Sequence, residues 1–331
     1  MSMIPKREMR RPGGRATLAV AALAAAVLLA ACGGGTSQVE TFKPARVVVL
    51  GDEASVIVDN GAADGFKYGI NDRSSANAGK CLALPLYWQS LITLYGYVAK
   101  ECNPTGVAPK TVVLAQPDAR VEQAGTGVAG QLAQVSGGLG KTDLVTVMLG
   151  VNDVVAVYED VRDGRRTQAA GVAEIQRLAG ALATAINGML ATGARALVVT
   201  IPDMGLSPYA AKQETTRAGA KALLTELSYQ FNAVLRTSID PTRYDGRNYG
   251  LVLGDDVVGA MARAPSAFLT SPYNVTVAAC TTTVLKDCTT TTLVTGASAS
   301  SHLWASDRHL GPEAHRQMGL LAQSRAVNNP F

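Results

Sequence analysis

Apolar and polar positions alternate between two rhythms along most of the chain. Short β-branched runs bounded by glycine or polar residues occur at 46–50 (RVVVL), 110–115 (KTVVLA), 143–150 (DLVTVMLG), 196–202 (ALVVTIP) and 249–255 (YGLVLGD). Continuous apolar runs of this length are the signature of strands buried on both faces. Between them lie stretches with helical spacing. Residues 84–98 are one, 169–193 a long amphipathic one ending at a glycine, 215–239 a second long one, and 311–327 a closing one with Pro312 in its first turn. A short helix is expected around GVAGQLAQVSGG, residues 127–138. Alternation of strand and helix predicts a mainly parallel sheet of about five strands with helices on both faces. Residues 271–301 break the rhythm. They are threonine-rich, hold two cysteines, and are expected to form a surface excursion or β-ribbon.

The N-terminus belongs to a different pattern. A basic stretch, residues 1–15, precedes an apolar run, residues 16–30, and then Ala31 and Cys32. That order describes a secretory signal. The apolar run is short beside the ~20 residues a membrane span requires. LAAC, residues 29–32, resembles a bacterial lipobox, in which the cysteine is acylated and becomes the new N-terminus. An ordinary cleaved signal beside a chance cysteine is the alternative. On the first reading, residues 1–31 are a lipoprotein signal peptide, 32–45 a glycine-led tether, and 46–331 the folded domain. Gly33 after Cys32 resembles sorting to the outer membrane, facing the periplasm.

Removal of residues 1–31 changes the charge balance. Lys6, Arg7, Arg10, Arg11, Arg15 and Glu8 leave, so 30 basic residues become 25 and 26 acidic ones become 25. The mature chain is formally neutral, and no basic field argues for nucleic acid. Four cysteines remain beyond Cys32: Cys81, Cys102, Cys280 and Cys288. Export places them in an oxidising compartment, where four cysteines allow three pairings. Sequence proximity favours Cys81–Cys102 and Cys280–Cys288. No C-x-x-C pair and no nearby histidine suggests a metal.

Ligand sites in such sheets sit at the carboxyl ends of the strands. The first strand is followed by GDEAS, the second by QPDAR, the third by GVND (150–153); SDRHLGPEAH lies just before the last helix. Together these stretches resemble the SGNH, or GDSL, esterases and acylhydrolases over residues 46–327. CNP at Cys102 and FNAVL at Phe231 resemble proteobacterial members. The resemblance implies a flavodoxin-like three-layer α/β/α sandwich and acyl transfer without a cofactor or metal. In that chemistry a serine attacks the ester, a histidine takes its proton, and an aspartate three residues earlier orients the histidine. The serine N–H, a glycine N–H and an asparagine amide hold the oxyanion. Carried over, Asn152 is the amide donor, Gly150 shapes its loop, and His309 is the base. Short acyl esters or acetylated glycans are the implied substrates.

The catalytic blocks are degenerate. Glu53 stands in the nucleophile slot, Asp118 in the glycine slot, and Ser306 three residues before His309; Asp307 is the nearest acid. Ser55 is the nearest serine. Two helical positions turn a side chain by about 200°, so Ser55 is expected to face away from the site. Glu53 and Asp118 would bring negative charge where an oxyanion must form. Catalysis is therefore expected to be impaired or rearranged, and serine restored at position 53 alone is expected to recover little. A non-catalytic envelope lipoprotein that binds through the old cleft is the alternative. Among individual residues, Asp52 is expected to cap the turn after the first strand. Glu53 is expected to be a solvated first-turn acid, and His315 a surface residue. Asn152 could be a helix cap and His309 a plain turn residue. His302 has no assigned role.

Overall fold

The structure, a computed structural model, describes residues 42–74, 80–240, 242 and 248–327. Cys32 and the signal and tether assignments before Phe42 lie outside these residues. Five strands form the central sheet: β1 (Arg46–Gly51), β4 (Thr111–Val113), β5 (Asp143–Met148), β6 (Arg195–Val199) and β7 (Tyr249–Val252). All neighbours are parallel, in the order β4-β1-β5-β6-β7. Val47 to Leu50 on β1 and Leu144 to Val147 on β5 are almost wholly buried, as a sheet covered on both faces requires. The chain thus forms the expected flavodoxin-like α/β/α sandwich. Two small pairs lie outside it: β2 (Ile57–Val58) with β3 (Phe66–Lys67), and β8 (Asn274–Ala278) with β9 (His302–Trp304).

The helices are α1 (Tyr87–Thr93), α2 (Val128–Ala133), α3 (Val151–Arg162), α4 (Gln168–Ala191), α5 (Pro208–Glu214), α6 (Ala220–Ser238), α7 (Gly254–Arg263) and α8 (Pro312–Val327). Two helical expectations need correction. Residues 84–98 give only the seven-residue α1; the chain then turns through Gly96, at φ 67°, because Tyr97 must pack inward and donate its hydroxyl to Pro44 O. Residues 215–239 hold one long helix, α6, as expected, but it starts late: α5 ends at Glu214, and α6 begins only after Gly219, at φ 86°. The Glu214 carboxylate spans the break, accepting from the Gly219 and Lys221 amides. Residues 271–301 form the surface excursion, with β8 laid beside β9.

Disulfides join Cys81 to Cys102 and Cys280 to Cys288, the pairing that proximity favoured. Cys81–Cys102 ties the loop carrying β3 to the segment leading into β4. Replacing both partners of that bridge by alanine should cost about 2–4 kcal/mol of unfolding free energy. Urea titration of the disulfide-bonded protein measures it, and an unchanged midpoint would refute the contribution.

Candidate active site

In this strand order the crevice opens where the connections from β1 and β5 depart to opposite sides. The segments after β1 and β5 meet there. β1 ends at Gly51, with φ 147°, where a Cβ would lie 2.3 Å from Met148 O. Only glycine lets the two strand ends approach this closely. Gln131 locks the position by accepting from Gly51 N and donating to Gly51 O, both at 2.8 Å. Asp52 follows and caps the short 3-10 turn Glu53–Ser55, accepting from Ala54 N at 3.1 Å. Its other oxygen is buried without a partner. Burial, then the neighbouring Glu53, holds the Asp52 carboxyl well above the usual carboxylate range.

Glu53 begins the turn and points into the crevice rather than into solvent; it is 6% exposed. The solvated-acid expectation is overturned. One carboxylate oxygen accepts the Asp118 N–H at 2.7 Å, and the other accepts the Asn152 amide at 2.9 Å. These are the backbone and side-chain donors that the resemblance assigns to the oxyanion. Asp118 has φ 56°, a conformation that glycine adopts freely. Its side chain is exposed, so solvent screens the charge expected to crowd the crevice, although Tyr68 and His309 still feel it, and the N–H points in. Asn152 is the second residue of α3, whose N-cap is Gly150; its amide donates to Glu53 and to Ala119 O instead of capping. Gly150 has φ 133°, and a Cβ there would sit 2.4 Å from the Phe231 ring. Asp153, next to Asn152, is a strut that sequence reasoning missed. Both of its oxygens accept the Val121 N–H, and burial pushes its pKa up to about 7.

His309 reaches the same crevice from the loop before α8. Its Nδ1 lies 2.7 Å from Ser306 Oγ. Asp307 makes no hydrogen bond to the ring; its side chain is 53% exposed, leans toward Arg308 and lies 3.5 Å from Ser306 Oγ. The Ser306 contact decides the tautomer. Ser306 Oγ already accepts from Arg308 N at 3.3 Å and His309 N at 3.2 Å. With both lone pairs engaged, the hydroxyl hydrogen goes to Nδ1 at 2.7 Å in preference to Asp307 Oδ1 at 3.5 Å, and on that assignment the ring proton of neutral His309 sits on Nε2. A general base needs the opposite tautomer. Enclosure by protein lowers the His309 pKa, with the Glu53 charge the first influence against it. Between Glu53, Tyr68, Met148, Pro202 and His309 about 20 Å³ of space remains, room for one water.

Ser55 stands apart. Its Oγ is fully buried beneath the turn, 3.2 Å from the Tyr87 hydroxyl, which is also 3.2 Å from Thr146 Oγ1. It makes no hydrogen bond to His309, as the helical offset led one to expect. His315 corrects another expectation. It is buried on the inner face of α8, stacks on Tyr87 at 6.5 Å, and leaves Nδ1 without a partner. Burial, aided by Lys67, pushes its pKa down to about 3. His302 is buried elsewhere, against Ser301 Oγ. Among the described residues no cluster of three histidine, cysteine or acidic side chains could hold a metal.

The profile of the GDSL-like lipase/acylhydrolase family matches residues 37–321, most of the chain. The chain belongs to that family. No curated protein matches it. Solved structures resemble this GDSL chain only distantly. An extracellular lipase of Streptomyces rimosus is 16% identical, covering 83% of this chain and 99% of its own, with a TM-score of 0.40. LAE5, an α/β hydrolase from the metagenome of Lake Arreo, is 13% identical over 88% of this chain and 99% of its own, with a TM-score of 0.42. The protein YxiM of Bacillus subtilis is 11% identical over 85% of this chain, with a TM-score of 0.37; the GDSL chain spans 55% of its length.

Proposed function

We propose that this chain is a cell-envelope lipoprotein that keeps a GDSL acylhydrolase domain with its serine mechanism disabled. The observation that carries the reading is the Glu53 carboxylate, seated on two of the three oxyanion donors that the family resemblance implies. An ester carbonyl would have to displace a charge-assisted pair of hydrogen bonds to reach them. Glu53 cannot replace serine, because acyl transfer to a carboxylate gives an anhydride. Residual hydrolysis would use one water activated beside Glu53 and His309, on short acyl esters or acetylated glycans. The cavity of about 20 Å³ favours a second reading, a non-catalytic envelope protein.

Turnover of p-nitrophenyl acetate beside fluorophosphonate labelling tests the proposal. No labelled serine is expected. Slow turnover that falls in His309→Ala supports residual hydrolysis, and none supports the second reading. Fast turnover with label on Ser55 sinks both. Anchoring is tested separately. Labelled palmitate should enter the wild-type protein and not Cys32→Ala, and equal incorporation would end the lipoprotein assignment.

A further inference from the structure

Parallel strands place all their amino ends on one side of the sheet, opposite the active site, and that side is basic. Lys110 precedes β4, Arg46 opens β1, Lys141 lies two residues before β5, and Arg195 opens β6. Lys43 lies just before β1. Arg46 is held by Asp143 at 2.9 Å. Lys43, Lys110, Lys141 and Arg195 have no carboxylate partner among the described residues. Two of them rest on aromatic faces instead. Arg195 lies 4.0 Å from the Phe42 ring and Lys110 5.0 Å from the Tyr97 ring. Tyr95 stands 5.7 Å from Tyr97, and Leu94 beside it is 42% exposed.

These residues form one surface around the point where the chain enters the domain. The Tyr97 hydroxyl donates to Pro44 O, and Ala45 N donates to Thr142 O next to Lys141. The mature chain carries no net charge, so unpaired cations at one end are a segregated feature rather than the overflow of a basic protein. Lysine and arginine beside tyrosine, phenylalanine and an exposed leucine suit the headgroup layer of a bilayer. The cations match anionic headgroups, and the half-buried Phe42 and Tyr95 rings with Leu94 match the boundary beneath them, while Tyr97 is buried behind them.

We infer that this end of the domain docks on an anionic lipid bilayer. An acyl anchor at Cys32 would not by itself fix the orientation of the domain. The docked face fixes it. The active site then lies at the far end of strands about 20 Å long and faces the aqueous side. Its substrate or ligand comes from that side rather than from the leaflet beneath. The surface does not depend on acylation of Cys32, so this inference and the anchor proposal fail separately.

Protein beginning at Gly33 carries no acyl group and retains every residue of the fold described. It is sedimented with phosphatidylcholine vesicles, with and without phosphatidylglycerol, at rising salt. Binding is expected only with phosphatidylglycerol, and it should weaken as salt screens the charges. The triple variant Lys43→Gln, Lys110→Gln, Lys141→Gln should bind about a hundredfold more weakly. A control, Lys212→Gln with Lys221→Gln, should bind as wild type. Thermal unfolding of each variant confirms that it folds. Absent binding, equal binding to both vesicles, unchanged binding by the triple variant, or capture by soluble heparin without vesicle binding would each overturn the inference.

Discussion

Glu53→Ser combined with Ser306→Asp should turn this protein into a working serine esterase, while Glu53→Ser alone recovers little. The single change removes the carboxylate from the oxyanion donors and supplies a hydroxyl at the nucleophile position. It leaves Ser306 donating to His309 Nδ1, so the base keeps its proton on Nε2 and cannot take one from serine. Losing the correct histidine tautomer costs about 10⁴-fold in a serine triad. Aspartate at 306 accepts from Nδ1 and frees Nε2. Each oxyanion donor contributes about 10²–10³-fold, and the Asp118 N–H and Asn152 amide already converge on the Glu53 carboxylate, one on each oxygen. The double variant should therefore exceed wild-type turnover of p-nitrophenyl acetate by about 10³-fold or more. It should also take a fluorophosphonate label at position 53. An unlabelled double variant with wild-type rates would show that the donors are not positioned for an ester.

His315→Phe should flatten the acid side of the stability profile. The neutral imidazole is buried and its pKa is pushed down to about 3 from 6.5. The unfolded chain takes up a proton near pH 6.5, and the folded chain does not until about pH 3. The contribution of His315 is thus fully present above pH 6.5 and is lost as pH falls, by about 1.4 kcal/mol per unit, reaching about 4 kcal/mol near pH 3. Asp153 acts oppositely. Its raised pKa makes the fold less stable as pH rises from about 4 toward 7. Both proteins share Asp153, so the difference between them isolates His315. Phenylalanine keeps the ring against Tyr87 and removes the unpartnered Nδ1. Urea unfolding at pH 7 and pH 4 should show the variant gaining on wild type as pH falls. An equal difference at both pH values would remove His315 from the acid response.

The sequence determined the sheet, because β-branched runs of five or six residues have few other uses than strands buried on both faces. It also singled out Glu53, Asn152 and His309 as candidates, since each follows a strand or precedes the last helix, and the fold brings the three to one crevice. It placed Ser55 out of reach through helical geometry alone. It could not place a side chain in depth. Glu53 looked solvated and His315 superficial, because first-turn acids and helical histidines usually are. Burial here is decided by what packs above: the segment with Asp118 and Asn152 over Glu53, and Tyr87 over His315. Nor could it separate a residue's side chain from its amide. Asp118 read as a misplaced charge, yet its backbone N–H supplies the contact, and only the φ of 56° shows it. The tautomer of His309 was likewise invisible. It depends on which lone pairs of Ser306 are already taken, and that follows from the path of the backbone through residues 306–309, which no residue type encodes.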